Sequence, residues 1–367
     1  MRVYVGRMSR PPHPSSPKAK AKRPSPVEAV ARATAALRRG LPVSIKGRDG
    51  KSLCVLAVET AGDHALVKPG ALLVLTHARA ATLKIRLYTP DVVALPAPKE
   101  ARTSRAIADP TADLSEPLKG PFAALRETLP DACAAGVKLA KLAGLLPAVI
   151  VFRGKANVAV SAADIDAYEE QSIATLGVVT RARVPLEGAE DAELVAFRAR
   201  DAGPEHYAIL IGQPSRGKAV LTRLHSECFT GDLLASLRCD CGAQLRGAIE
   251  TISKAGGGIL LYLAQEGRGI GLVNKLRAYR LQDQGFDTLE ANTRLGFEED
   301  ERLYGVAARM LALLGYKKIE LLTNNPAKVA ALKAHGIAVA KRVPHSFPSN
   351  VHNSDYLKTK KKAGHLL

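Results

Sequence analysis

The sequence predicts an α/β (α+β) protein of two domains, each a mixed sheet flanked by helices, behind a disordered basic N-terminal arm. Three observations predict it. Strand-like and helix-like runs alternate in two separate blocks. The 367 residues suffice for two domains of ordinary size. Ser9 to Pro26, SRPPHPSSPKAKAKRPSP, has the Pro/Ser/Lys composition of disorder. The boundaries then fall at 1–26 for the arm, 27–175 for the first domain and 185–367 for the second, with the stretch around 170–185 as linker.

In chain order, VEAVARATAALRRG repeats Val and Ala at helical spacing and stops at Gly40, a usual C-terminal signal. LPVSIKG and SLCVLAVE read as strands. DACAAGVKLAKLAGLLPAVIVF reads as a helix halted by Pro147, then a buried strand. HYAILIG opens the second unit and AVLTRLHSE follows as another strand. GAQLRGAIETISKAGGG sets Leu245, Ile249 and Ile252 on one helical face and ends at glycines. GILLYL is a buried strand running into the Gly-rich loop AQEGRGIGL and the helix LVNKLRAYRLQDQG. The helix ERLYGVAARMLALLG, strand KKIELLT, turn NNP, helix AKVAALKAHG and strand IAVAKRVP complete the chain, with no internal repeat.

Composition is globular, and no run approaches the roughly 18 apolar residues of a membrane span. Five cysteines, two of them separated by one residue, argue against a disulfide framework and suit a reducing cytoplasm. The net charge of +18 is mostly terminal: residues 1–40 hold ten Lys/Arg against Glu28, and residues 341–367 hold six against Asp355. Basic tails can hold nucleic acid, but a solvated arm is the commoner outcome, so nucleic acid is not the expected partner. Residues 1–25 share the acid-free, Arg- and Ser-rich composition of a transit peptide without its apolar face. They read as a bacterial extension, with Met8 an alternative start.

Cys228, Cys239 and Cys241 are spaced C-x10-C-x-C. A catalytic zinc site keeps three protein ligands and leaves the fourth position open, whereas a structural site closes with four. His225, three residues before Cys228, leaves the closed option standing, and buried inert thiols are the bland alternative. Zinc with an open position brings the pKa of a bound water to roughly 7, which suits attack on amidine-like carbon in purine rings. Asp240, between two of the cysteines, reads as a turn or supporting residue.

Two segments suggest an anionic substrate. Gln265–Gly271 precedes a helix, where free N–H groups favour phosphate, and Thr323–Lys328 turns from a strand into a helix with a Lys one turn in. Arg223 and Arg268 add weight; glycines at helix entrances are otherwise ordinary turn chemistry. Glu298, Glu299, Asp300, Glu301 and Arg302 form a charged helix start, where acids normally serve the macrodipole. Tyr279 falls on the Leu272/Leu276 face, whose ordinary reading is packing.

RLHSECFTGD, SLRCDCGAQL, QEGRGIGLVNKLRAYRLQDQGFDTLEAN, LGFEEDER, LLTNNPAKV and YLKTKKKAGHLL together resemble GTP cyclohydrolase II from about residue 185 onward. The resemblance implies a zinc-dependent homodimer, also needing Mg²⁺, that converts GTP to 2,5-diamino-6-(5-phospho-ribosylamino)pyrimidin-4-one, formate and pyrophosphate in riboflavin biosynthesis. It implies that Cys228, Cys239 and Cys241 bind zinc. GTP would be contacted by Arg223, Leu224, His225, Ser226, Glu227, Gln244, Glu266, Gly267, Arg268, Thr288, Thr323 and Lys328. Asp300 would be a base, Arg302 a nucleophile towards the α-phosphorus, and Tyr279 a guide for the water steps. A guanidinium with a pKa above about 12 is a poor nucleophile, which leaves Arg302 as either nucleophile or charge stabiliser. Ala264 stands where many members carry Arg, one positive charge fewer beside the loop.

ALRRGLPV and KLAKLAGLLPAVIV resemble, more faintly, the 3,4-dihydroxy-2-butanone 4-phosphate synthase domain. That family's acidic cluster aligns with Gly47–Ser52, its His-Thr-Glu triplet with Ala132-Cys133-Ala134, and a further Glu near Arg153. The expectation is a first domain without a Mg²⁺ site or base, kept for packing, dimerisation or regulation. Two other readings compete: a relative that opens a different heterocycle such as uracil, and a zinc-containing nucleic-acid binder.

Overall fold

The computed structural model describes residues 24–366 apart from 202, 349 and 350. The expected arm therefore lies outside the described residues as far as residue 23. Two mixed sheets flanked by helices make up the chain, as the alternation of patterns requires.

The first sheet holds β1 (Val43–Lys46), β2 (Ser52–Ala57), β3 (Leu72–Thr76), β4 (Val92–Pro96), β5 (Ala148–Phe152) and β6 (Val158–Ser161) in the order β4-β3-β5-β2-β1-β6. Its β1/β6 pair is parallel and the other pairs are antiparallel. The opening helix Pro26–Arg38 begins in a capping box, Ser25 with Glu28, and buries Val30, Ala33 and Leu37 on one stripe. Helix Asp131–Leu142 crosses the same face. Its Ala132, Cys133 and Leu139 enter a core with Val43, Ile45, Val55 and Val149.

The second sheet holds β7 (Gly177–Arg183), β8 (Glu193–Arg198), β9 (His206–Ile211), β10 (Val220–Ser226), β11 (Gly258–Leu263), β12 (Lys318–Leu322) and β13 (Ala338–Val343), in the order β13-β12-β10-β11-β9-β8-β7. The half from β13 to β11 is parallel and the half from β11 to β7 antiparallel. β10, β11 and β12 bury most of their residues, as inner strands covered on both faces do, and β11 is a near-continuous apolar run.

Three expectations change. The stretch around 170–185 is no linker: helix Ala162–Thr175 runs through its first part, and β7 takes the rest as an edge of the second sheet. The side chains of β7 are mostly exposed, so its period-2 pattern carries no apolar face to read. The helix expected from Glu301 starts at Tyr304, because the Asp300 carboxylate takes the backbone N–H and guanidinium of Arg302 and holds 298–303 as a loop. The basic C-terminal stretch is not a solvated arm in the described residues. It forms helix Ser354–Lys362, and Leu366 N–H donates to the Asn324 carbonyl at 2.8 Å.

The two sheets are joined by a core in which Leu146 of the first packs with Ile270, Leu281, Leu295 and Phe297 of the second. Polar bonds reinforce it. The Asn274 amide donates to the Gly144 carbonyl at 3.0 Å, and Arg277 pairs with Glu59 at 2.9 Å.

Candidate active site

Parallel strands expose their carboxyl ends on one side of a sheet, and clefts open there. In this protein β10 ends in Arg223–Ser226, β11 runs into Gln265–Gly271, and β12 into Thr323–Lys328, so the three segments singled out in the sequence meet at one edge. They line a cleft of about 1170 Å³ of empty space, open solvent at its mouth included.

The three cysteines lie in its wall, with their sulfurs within 4.8 Å of one another. The Cys228 and Cys239 sulfurs are 3.7 Å apart, too far for a disulfide. A tetrahedron with Zn–S bonds of about 2.3 Å has edges of about 3.8 Å, so the spacing fits zinc held by thiolates. Helix Cys241–Lys254 starts on the third cysteine, and Gly231 passes so close beneath the trio that a Cβ there would sit 2.8 Å from the Cys239 sulfur. The hydrogen bonds of Cys239 and Cys241, followed by the Lys275 ammonium, hold the Cys228 thiol far below its ordinary range. The same sharing pushes Cys239 up to about 11, so three thiolates together require a cation.

His225 is not a fourth member. Its Nε2 lies 3.0 Å from Asp232 Oδ1, and Asp232 also accepts the Cys228 N–H at 3.0 Å and the Tyr262 hydroxyl at 3.0 Å. Burial holds the His225 imidazole below its ordinary pKa, so the ring is neutral near pH 7. With Nε2–H turned to the carboxylate, Nδ1 is a buried acceptor without a partner in the protein.

Positive charge is concentrated on the opposite wall. Arg223 is fully buried: its guanidinium donates to the Leu322 carbonyl at 2.9 Å and to the Gln244 side chain, and its Nε has no partner. Lys328 donates to the Leu224 carbonyl at 2.9 Å. Burial, then Arg223 and Arg302, depress its pKa well below the ordinary lysine value. Arg302 pairs with Asp300 through two bonds of 2.7 and 2.5 Å. Burial opposes its charge, but the Asp300 bonds outweigh burial and hold its pKa above the usual arginine value. Three buried cations facing one carboxylate make a site that an anion would stabilise.

Sixteen of the eighteen expected residues line this cleft, Gly267 among them with its backbone. Thr288 lines it from the start of helix Thr288–Arg294. Glu227 sits at the rim, its pKa raised by burial and then by Glu266. Three residues stand differently. Leu224 turns its side chain into the core and offers the site only a carbonyl, already taken by Lys328. Strand alternation forces this, since Arg223 and His225 point the other way. Asp300 is outside the lining and reaches it through Arg302. Glu266 does line the cleft, but its oxygens are committed to Phe229 N–H at 2.6 Å, Lys275 at 2.8 Å and Gly267 N–H at 2.8 Å. Gly267 and Arg268 both have φ of 62°, and this left-handed turn carries the chain from the cleft wall into the helix that starts at Leu272.

Tyr279 does not pack as its helical face suggested. Leu276 on that face is 48% exposed, and the Tyr279 hydroxyl instead lies 3.4 Å from Thr230 Oγ1 beside the sulfurs. Burial raises its pKa. Lys275, one turn earlier, is the main residue missed in the sequence. Its ammonium lies 3.1 Å from Cys228 Sγ, 3.0 Å from Thr230 and 2.8 Å from Glu266. Its i, i+4 relation to Tyr279 was the available signal. Also missed were His345, Tyr356, Lys360 and His365 from the C-terminal stretch. Lys360 pairs with buried Asp240 at 2.5 Å, Asp240 accepts the Gln244 amide at 2.5 Å, and Gln244 holds Arg223.

The family model for GTP cyclohydrolase II matches residues 178–344. The chain is 49% identical over 362 residues to a GTP cyclohydrolase-2 of Azospirillum brasilense, covering 93% of this chain and 94% of that one. A GTP cyclohydrolase-2 of Histophilus somni (strain 2336) is 51% identical over 191 residues, 52% of this chain and 88% of its own length. The riboflavin biosynthesis protein RibBA of Bacillus velezensis is 55% identical over 167 residues, 45% of this chain and 42% of its own.

Proposed function

This chain belongs to the GTP cyclohydrolase II family, an enzyme family of riboflavin biosynthesis, and from that premise we propose the reaction and the residues that carry it out. GTP is converted to 2,5-diamino-6-(5-phospho-ribosylamino)pyrimidin-4-one, formate and pyrophosphate. The observation that carries the proposal is the juxtaposition, in one cleft, of a thiol trio close enough to share one metal ion with buried, under-compensated cations. A neutral heterocycle such as uracil gives those cations no counter-charge; a triphosphate does. A nucleic-acid role gains nothing from Lys360, which is buried against Asp240.

Zinc fits the trio, and when bound by Cys228, Cys239 and Cys241 it supplies Lewis acidity and a water-derived nucleophile near neutral pH. The Lys275 ammonium, fixed by Glu266, steadies the Cys228 thiolate. The Tyr279 hydroxyl, kept protonated by burial, is placed to donate to oxygen at the opening ring. His225 Nδ1 offers an acceptor to an N–H of the base. Arg223, Lys328 and Arg302 take the phosphates, with Mg²⁺ completing their neutralisation. A lowered Asp300 and a raised Arg302 make a poor base and a poor nucleophile, so the pair acts by holding one fixed positive charge at the α-phosphate.

Two copies of the chain assemble, in this reading. Phe229, Leu233, Leu234 and Leu237 around the cysteine loop, and Val273 and Leu276 on the adjoining helix, are large apolar side chains left exposed beside the cleft. The first domain does no chemistry. Among the described residues the cysteine trio is the only metal-competent group of three or more, and Ala132 and Cys133 are core residues. No helix among the described residues is long and apolar enough to cross a membrane, and the expected setting is the cytoplasm.

The deciding experiment is mass-spectrometric product analysis of the zinc-loaded protein with GTP and Mg²⁺, with uracil in parallel. Formate, pyrophosphate and the diaminopyrimidine from GTP alone are expected; a fully zinc-loaded protein that leaves GTP intact rejects the reading. Tyr279→Phe separates the steps. Formate release should fall about 100-fold, the usual worth of a positioned proton donor, while pyrophosphate release changes several-fold at most. Equal loss of both products would assign Tyr279 to substrate binding.

A further inference from the structure

We propose that the first domain is a clamp on the cleft, with Lys141 as the positioning residue that fixes the loop 298–302. The proposal rests on the reading of Asp300 and Arg302 given above. Lys141 lies in the last turn of helix Asp131–Leu142 and reaches across the boundary between the two domains. Its Nζ is 2.6 Å from Glu301 Oε1, with 20% and 22% of the two side chains exposed. It also stands 5.8 Å from the centre of the buried Phe297 ring.

The same Glu301 oxygen accepts the backbone N–H of Glu298 at 2.8 Å, so the ion pair ties the loop's start to its end. Glu301 lies between Asp300 and Arg302 in sequence. Its N–H donates to the Arg268 carbonyl at 2.9 Å, and the Arg268 guanidinium returns a bond of 3.2 Å to the Glu299 carbonyl. Gly269 passes so close that a Cβ there would lie 2.7 Å from the Glu301 carbonyl oxygen. The two loops that carry Arg268 and Arg302 are thus stitched together, and one ammonium from the other domain holds the seam.

Helix Leu272–Asp283 is held in the same way. Lys275 and Tyr279 face the sulfurs, while Asn274 and Arg277 on its other side bind the Gly144 carbonyl and Glu59 of the first domain. The Histophilus relative matches half of this chain over 88% of its own length, which leaves no room for a counterpart of the first sheet. The clamp is therefore a property of this longer arrangement and not a requirement of the chemistry. A domain without a metal-competent cluster has a use here in placing a guanidinium.

The test uses the full chain, zinc-loaded, as wild type, Lys141→Met, Lys141→Arg, Glu301→Gln and the Lys141→Met/Glu301→Gln double variant. Zinc content, melting temperature, kcat and KM for GTP are measured for each. Lys141→Met should lower kcat by about 10-fold, since a shift of about 1 Å in a reacting group can cost about 100-fold, while KM stays within about 3-fold because Arg223 on β10 and Lys328 in helix Pro326–Ala334 do not touch Lys141 or its loop. Lys141→Arg should restore most of kcat. The double variant should be no slower than the slower single one, as expected for two residues acting through one contact. Zinc content should not change. An active wild type with an equally active Lys141→Met, or fully additive losses in the double variant, overturns the clamp alone. A zinc-loaded wild type inert towards GTP overturns the functional reading, and the clamp with it.

Discussion

Cys239→Ser is expected to lose zinc and formate release together. The three sulfurs lie within 4.8 Å of one another, and the Cys228–Cys239 separation of 3.7 Å matches the edge of a zinc–thiolate tetrahedron. Serine keeps the shape but not the anion, since its hydroxyl does not ionise near neutral pH. Full thiolate and imidazole sets bind zinc by on the order of 10 kcal/mol, so losing one ligand of three weakens affinity by several powers of ten. Zinc per subunit after dialysis against a chelator should fall from about one to below about 0.1, and formate release by more than about 1000-fold. Cys239 lies in a partly exposed loop, so the far-ultraviolet circular dichroism should not change. A metal-free variant that still releases formate would remove zinc from the mechanism.

Arg302→Ala carries the second largest expected effect. Arg302 brings a fixed charge to the cleft, secured by two bonds to Asp300. An arginine directed at a transferring phosphoryl group is worth about 10³- to 10⁵-fold in rate. Pyrophosphate release should therefore fall by at least about 1000-fold. KM should also rise, because the substitution leaves the Asp300 carboxylate facing the phosphates unpaired. Arg302→Lys should recover part of the loss through charge alone. An alanine variant within about 3-fold of wild type would place Arg302 outside the reaction.

Much of this arrangement was legible in the sequence because it depends on local patterns. The strand patterns of β10, β11 and β12, with polar or glycine-rich segments at their ends, place Arg223 at a strand end and Arg268 and Lys328 in the segments that follow β11 and β12. Strand ends on one side of a parallel sheet must meet. The cysteine spacing likewise brought three sulfurs to one point. What failed depends on tertiary partners. β7 is an edge with no apolar face to read, so in sequence its residues have the pattern of a linker. The acidic run at Glu298 has the composition of a helix start, but the Asp300–Arg302 bonds and the Lys141 contact keep it a loop. Leu276 sits on what looked like a packing stripe and is exposed, whereas the stripe that does turn inward carries Lys275 and Tyr279. Lys360 counted only as part of a basic tail, because its partner Asp240 lies 120 residues away.

The pairing of Lys360 with Asp240 also constrains the order in which this protein can become competent. Residues 220–328 emerge before Lys360 and can gather their sulfurs and cations while synthesis continues. Asp240 nevertheless lacks its ammonium partner until Lys360 has left the ribosome and folded back. Nascent chains and prematurely terminated products should therefore carry the metal-binding corner and yet grip nucleotide poorly.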